Sequence, residues 1–471
     1  MRAFEAGAAS IIRSLWADRR VRTASLAILA VSVTARLVLV AFTEPVLVSD
    51  ARDYWVYAYN LAHLGRYVQV YDGETLAFNG YAFWAYRPPG YPGFLSAFLT
   101  VFDWEPRAAL VANVFFDAVS QLVWLLIASA VVGRGPALIA MAMLGAHLLW
   151  TPFVMSESFF TALFSIATLA VVFRLPLISV AHALFWGTEI ALALFTRPIA
   201  LSLAPATLHR FLGKNSVARG AMILVLFWVP SLVATASWTL RNYALFRQPV
   251  ILTTNLGSHN AADFGIDMEQ VFGRLREAGL DEAQIDSLFL DLERRIAVTR
   301  GVGWCIRLWG RRLADLVSLT PARELRSILW VYAFSGGPVS RAVGWLHEIS
   351  FVQYYATYAL AAVGIVVLLV ARVPLAGLWT VLVCYLLVHP AMSRGDIRLF
   401  APLYPLVALF AAVGCHSGFT LLKTAASHVA RLATANGAGR RPFRGSYGKS
   451  KTNIEPMRST GRWRCSHANA P

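Results

Sequence analysis

The chain has 471 residues, 57% of them hydrophobic and only 14% charged, where soluble domains carry roughly a quarter. That balance excludes an ordinary soluble domain and points to a polytopic membrane protein. The net charge of +16 would suit nucleic acid, but between Lys423 and Arg464 ten Lys or Arg stand against a single acid, Glu455. More than half of the excess therefore sits in one tail, where basic residues favour the cytoplasmic side and anionic lipid.

Arg2, Arg13, Arg19, Arg20 and Arg22 precede the first apolar run, 24–43, and place residues 1–23 in the cytoplasm by the positive-inside tendency. The run is too long for a signal-peptide core and lacks a small-residue cleavage pattern, so it reads as a retained span. A span needs roughly 20 apolar residues, and further runs of that kind lie at 106–131, 135–153, 157–173, 176–195, 198–212, 219–240, 350–371, 374–390 and 398–417. A shorter one, 89–102, has the length of a segment that dips and returns. The expected fold is all-α, a polytopic transmembrane helix bundle of about eleven spans.

Between the spans the organisation follows. A first outer loop, 44–88, interrupts an N-terminal membrane core of 24–241; 350–417 holds the C-terminal spans and 418–471 a basic, disordered cytoplasmic tail. The large outer loop, 242–349, carries apolar residues at helical spacing among charges. Ile285, Leu288, Leu292 and Ile296 form one face, continued by Trp304, Leu308 and Leu313, which predicts helices lying on the membrane surface. Cys305, Cys384, Cys415 and Cys465 have no metal-ligand or disulfide spacing. Gly448-Lys449-Ser450 ends like a phosphate-binding loop, but Phe443 stands where its first glycine belongs.

The candidate chemistry gathers where spans meet the outer face. In LVSDARDYWVYAYN, residues 47–60, a helix capped by Ser49 puts Asp50, Asp53, Tyr54 and Tyr57 on one face. An acidic first turn also suits the helix dipole, so capping and a general base are both open readings. In YAFWAYRPPGYPGF, residues 81–94, two prolines fix an extended entry that holds Arg87, followed by Tyr91. A guanidinium there either snorkels to headgroups or binds a lipid phosphate. Glu157 in SESFF opens a span, as an acid or as a cap. WTLRNYALFRQPVILTTNLGSHN supplies Arg241, Asn242 and Tyr243, then a polar uncharged patch with Asn255, His259 and Asn260 that suits sugar hydroxyls. Arg394, Asp396 and Arg398 precede the last span.

In this order, SDARDYW, RPPGYPGF, SESFF, WTLRNYALFRQPVILTTNLGSHN and RLFAPLYP, the chain resembles bacterial GT-C glycosyltransferases. These are similar to dolichyl-phosphate-mannose protein mannosyltransferases and to the aminoarabinose transferase of lipid A. The likeness runs over residues 20–417. It implies an inverting transferase in the bacterial inner membrane that moves a sugar from a polyprenyl-phosphate donor to a hydroxyl or amine of a lipid, glycan or protein on the periplasmic face. The family's hallmark is a catalytic Asp in the first outer loop, matched by position by Asp50, with Asp53 and Glu157 as further acids. Arg87, Arg241 and Arg398 are the expected donor-phosphate cations, and Tyr54, Tyr91, Asn242, Tyr243, Asn255, His259 and Asn260 the expected substrate contacts. In the aminoarabinose branch the prolines follow a Glu-Lys pair; here they follow Tyr86 and Arg87. The missing acid sets that branch's substrate in question. No cofactor is indicated, a divalent cation is compatible with the chemistry, and no ligand cluster specifies one. The rival reading, a transporter or flippase of lipid-linked or small solutes, wants ionisable groups at mid-membrane depth; Asp117 and Glu189 are the candidates.

Overall fold

The apolar runs become helices, though not all of spanning length. A computed structural model describes residues 7–43, 45, 47, 50–71, 81–148, 151–172, 180–207, 217–317, 338–373, 375–392 and 397–438. Helix α1 (Gly7–Ala17) precedes α2 (Arg19–Phe42), which starts where the Asp18 side chain accepts from the backbone N–H groups of Arg20 and Val21. After α3 (Asp50–Leu64), strands β1 (Gln69–Tyr71) and β2 (Tyr81–Phe83) pair antiparallel, with Val70 opposite Ala82. Then come α4 (Gly90–Val101), α5 (Pro106–Val131), α6 (Arg134–Ala146), α7 (Glu157–Val172) and α8 (Val180–Thr196). A 3₁₀ turn (Pro198–Leu203) leads on towards α9 (Val217–Phe246).

Among the described residues five helices are long and apolar enough to cross a membrane: Arg19–Phe42, Pro106–Val131, Gly220–Phe246, Val352–Val370 and Phe400–Ser427. Within Gly220–Phe246 the apolar Leu232, Val233 and Leu240 are exposed, as lipid-facing residues must be, and the chain is a multi-pass membrane protein. Helix α4 has 12 residues and rises ~18 Å, short of the ~30 Å hydrocarbon core, so it does not cross by itself. The run expected to span at 198–212 is instead a 3₁₀ turn and one further helical turn to Thr207. Pro198 and Pro205 interrupt it, and 208–216 lie outside the described residues.

The segment after α9 is folded into short helices: α10 (Leu256–Asn260), a 3₁₀ turn (Ala261–Phe264), α11 (Met268–Glu277), α12 (Glu282–Arg300) and α13 (Val302–Val317). On α12 the expected apolar face stays largely open. Ile285 is buried, but Leu288 and Leu292 are exposed and Ile296 is half-buried, while Glu282, Asp286, Phe289 and Glu293 turn inward. Phe289 and Ile285 join Tyr57, Tyr67, Phe83, Ala261 and Phe272 in a small core separate from the main one. We call this part, with the β hairpin, the cap. The cap thus packs on the side of α12 that carries these acids and Phe289, and Leu288 and Leu292 stay on the open side, as on a helix lying on a membrane surface.

The chain returns in α14 (Pro338–Val370), α15 (Ala376–Met392), a 3₁₀ turn (Ile397–Leu403) and α16 (Tyr404–Ala438). It divides into two compact units, Met1–Phe419 and Thr420–Pro471. In the second, residues through Ala438 are helical, which corrects the expectation of a disordered tail from 418 onward; 439–471 lie outside the described residues. The main core draws on α2 to α9 and α14 to α16, with α3 contributing Ala51, Tyr54 and Ala58. Tyr57, on the adjoining side of α3, belongs to the cap core. Helix α3 therefore joins bundle to cap, and Asp50 and Asp53 lie on that joint.

Candidate functional site

Asp50 and Asp53 open α3 three residues apart, so their side chains leave one side of its first turn. Ser49, the expected cap, lies outside the described residues. Arg87 closes on both acids. Its Nη2 donates to Asp50 Oδ1 at 2.6 Å and to Asp53 Oδ2 at 2.7 Å, and its Nε to Asp53 Oδ2 at 2.9 Å. The three groups together carry one net negative charge when ionised. The two acids are not equivalent. Asp53 has its second oxygen filled by Gln69 Nε2 at 2.6 Å, and its side chain is 10% exposed against 19% for Asp50. Burial raises the Asp53 carboxyl above its ordinary pKa, against the opposing charge of Arg87. Asp50 stands at the accessible rim.

Arg87 is aimed by a short irregular segment, Trp84–Pro88, whose backbone is tied on every side. Trp84 N and Ala85 N both donate to Glu282 Oε1 at 2.7 Å. Trp84 O accepts from Arg241 Nη1 and Ala85 O from Thr254 N. Tyr86 N donates to the Tyr57 hydroxyl, and the Tyr67 hydroxyl donates to Arg87 O and Pro88 O. Irregular backbone is tolerated in a buried place only when its polar groups are paired, and here side chains do most of the pairing. Gly90 then lets the segment reach the bundle: a Cβ there would stand 2.6 Å from Phe195 C and Thr196 N at the end of α8. That approach explains the first glycine of RPPGYPG.

It also sets Arg87 near a second ion pair. Arg197 Nη2 donates to Glu157 Oε1 at 2.6 Å, and its Nε to Ser156 Oγ at 3.0 Å. The Tyr54 hydroxyl lies 3.4 Å from Ser156 Oγ, and its ring meets Tyr91 edge-on at 5.1 Å. Tyr54 is also 5.7 Å from the Arg87 guanidinium carbon, so it stands between the two pairs. The structure thus brings together Asp50, Asp53, Tyr54, Arg87, Tyr91 and Glu157. Glu157 is 1% exposed with Oε2 unbonded, as is the Tyr91 hydroxyl.

The other expected residues lie elsewhere. Arg241 supports the segment rather than facing the acids: Nη1 reaches Trp84 O and Asn242 Oδ1, Nη2 reaches Tyr67 O, and the guanidinium lies over Trp238. Asn242 is fully buried, with Nδ2 on Val250 O, while Tyr243 is exposed. In the polar patch, Asn255 and His259 are half-buried and Asn260 is buried. Gly257 N and Ser258 N donate to Asp286 Oδ1 at 2.8 and 3.4 Å, so part of the patch serves the fold. The side chains of Arg394, Asp396 and Arg398 lie outside the described residues. Sequence reading passed over Glu282 and Asp286 because their partners lie 197 and 28 residues away. Arg197, likewise, is tied to Glu157 across 40 residues.

No family model and no curated protein matches the sequence. Among solved structures the fold is similar to the archaeal oligosaccharyltransferase AglB from Archaeoglobus fulgidus, in complex with an inhibitory peptide and a dolichol-phosphate. The identity is 14% and the TM-score 0.41, over 89% of this chain and 52% of that one; the chain spans about half of AglB's length. It is similar also to ArnT from Cupriavidus metallidurans, in the apo state (14%, TM-score 0.35) and bound to undecaprenyl phosphate (13%, TM-score 0.34), over 83% of this chain and 76% of ArnT in both. At such scores the overlap is partial, and it assigns no role to any residue here.

Proposed function

We propose that the protein is an inverting glycosyltransferase that moves a sugar from a polyprenyl-phosphate donor to a hydroxyl or amine on a lipid, glycan or protein. In this reading the joint between bundle and cap faces the periplasm across a bacterial inner membrane. The observation that carries it is the Asp50–Arg87–Asp53 triad, with Asp50 the more accessible of the two acids. Asp50 takes the proton of the acceptor as its oxygen or nitrogen attacks the anomeric carbon. The bond to the phosphate oxygen breaks on the opposite face, and the lipid phosphate leaves with the electron pair.

Arg87 has a first duty as counterion. Its Nη2 orients Asp50 through Oδ1 while Nε and Nη2 together hold Asp53, and only Nη1, which makes no hydrogen bond among the described residues, remains to meet a phosphate oxygen. Arg197 is the second cation of the site, shared with Glu157. Arg241, spent on backbone carbonyls, positions the segment, and Tyr54 and Tyr91 line the reacting space. A divalent ion does not fit between Asp50 and Asp53, because the guanidinium already bridges them, and among the described residues no cluster of three or more His, Cys, Asp or Glu side chains is formed to hold one.

The test is Asp50→Asn in proteoliposomes supplied with a polyprenyl-phosphate sugar and with envelope extract as acceptor. General-base catalysis contributes on the order of 10²–10⁴-fold, so transfer is expected to fall by at least 100-fold with the protein still folded. Transfer at the wild-type rate rejects the assignment. A transporter reading draws on charges inside the bundle, but Asp117 is locked to Arg36 at 2.9 Å, leaving Glu189, whose carboxylate oxygens are both buried and unbonded.

A further inference from the structure

Helix α12 meets the site with two acids one turn apart. Glu282 and Asp286 are 2% and 7% exposed, and each uses one carboxylate oxygen to accept from two consecutive backbone N–H groups. Glu282 takes Trp84 and Ala85; Asp286 takes Gly257 and Ser258. The two gripped segments also bond to each other, Thr254 N to Ala85 O at 3.0 Å. Gly257 is needed for the fit, since a Cβ there would stand 2.8 Å from Asp286 O and from Phe289 Cβ. A pair of neighbouring amides pointing at one oxygen is a geometry that a carboxylate fills well and an aliphatic side chain leaves unpaired.

We propose that Glu282 and Asp286 are positioning residues: α12 is a two-pronged clip that sets where Arg87 stands and thereby how Asp50 is held. The inference rests on the functional reading above and extends it to a helix that touches none of the reacting groups. Only Ala85 and Tyr86 stand between the Glu282 grip at Trp84 and Arg87, and no regular secondary structure lies between them to absorb a shift. Proton transfer is sensitive to displacements near 1 Å, at a cost of about 100-fold. Glu282 is thus expected to matter more than Asp286, which acts on Arg87 only through the contact of Thr254 with Ala85. Burial pushes the Glu282 carboxyl up to about 8 and that of Asp286 up to about 6, a cost that a surface helix without this duty does not need to carry.

The experiment uses the full chain in lipid nanodiscs, with undecaprenyl phosphate alone as the probe. Hydrogen exchange is followed at the amides of Trp84, Ala85, Gly257 and Ser258. Glu282→Ala is expected to speed exchange at Trp84 and Ala85 by at least tenfold and to weaken binding of the probe by about tenfold. Glu282→Gln, which keeps the accepting oxygen, restores both to within about threefold of wild type. Asp286→Ala shows the faster exchange at Gly257 and Ser258 with a smaller loss of binding. Where Glu282→Ala does not fold, Glu282→Asp withdraws the carboxylate by one methylene and is expected to give an intermediate loss. Unchanged exchange at Trp84 and Ala85, or probe binding unchanged while exchange rises, overturns the positioning role. A wild-type protein that does not bind undecaprenyl phosphate rejects the functional reading instead, and the exchange data then decide the clip by themselves.

Discussion

In the bundle, two helix pairs meet backbone to backbone: a Cβ on Gly187 of α8 would collide with Phe227 O of α9, and one on Gly364 of α14 with Phe410 O of α16. In the cap, segments are joined by charged side chains gripping main chain, as Glu282 and Asp286 do, and Arg312 of α13 bonds Asp263 Oδ2 through Nε at 2.7 Å and reaches across to Pro390 O of the bundle helix α15 through Nη1. The difference follows from solvent. Lipid offers apolar helices no hydrophobic reward for association, so close van der Waals packing at small residues must hold them. The cap has irregular backbone whose polar groups need partners, and buried acids supply them. The proposed site lies where these two kinds of packing meet, on α3 and the segment tied to it.

The largest expected effect sets the cap-side acid against the bundle acid. Asp50→Asn should lower transfer by two orders of magnitude or more, whereas Glu189→Gln should leave the rate within about twofold; equal losses would move the chemistry into the bundle. Next, Arg36 in α2 is 2% exposed, pairs with Asp117 and donates to the carbonyls of Leu144, Gly145 and His147 at the end of α6. Arg36→Leu should destabilise the bundle by about 3–5 kcal/mol, read as loss of folded protein in detergent, and Asp117→Asn in the same chain should recover part of it. A bundle that tolerates Arg36→Leu would show that glycine packing alone suffices.

Within the cap, Phe289→Ala should cost about 3–5 kcal/mol as a core truncation. Leu288→Gln and Leu292→Gln, on the face that periodicity favoured, should each change stability by no more than about 0.5 kcal/mol. The smallest effect is one of pH. Glu282 lies among Arg241, Trp84 N–H and Ala85 N–H, with its carboxyl raised by burial from 4.5 to about 8. A carboxyl raised on folding contributes stability that is complete below its unfolded value and is lost as pH rises through its folded value. Thermal stability of the cap should therefore decline between about pH 5 and 8, and Glu282→Gln should flatten that decline; a decline of the same slope in the variant would assign it to Glu293, also near 8.

Much of the architecture was legible in one dimension, because a membrane span must be long, apolar and continuous. Runs at 24–43, 106–131 and 219–240 became α2, α5 and α9 for that reason. Pattern failed where the environment was mixed. On α12 the apolar spacing of Leu288 and Leu292 was legible, but the burial of Glu282 and Asp286 was not, since their partners are backbone amides that no sequence pattern marks. Asp50, Arg87 and Glu157 were named as candidates from their place at span ends; that Asp53 shares Arg87, and that Arg197 answers Glu157, was not readable.

The sequence by itself determined that this is a helical membrane protein, that its polar chemistry clusters in a few stretches, and that a proline-fixed arginine follows an acidic helix start. Those properties are local, set by composition and by spacing within one segment. Only the tertiary structure decided that Arg87 bridges two carboxylates, that Asp50 is the more accessible of them, and that α12 holds the segment leading to Arg87. Each of these depends on burial and on contacts across tens to hundreds of residues, where the energy of a charge is set by what folds around it.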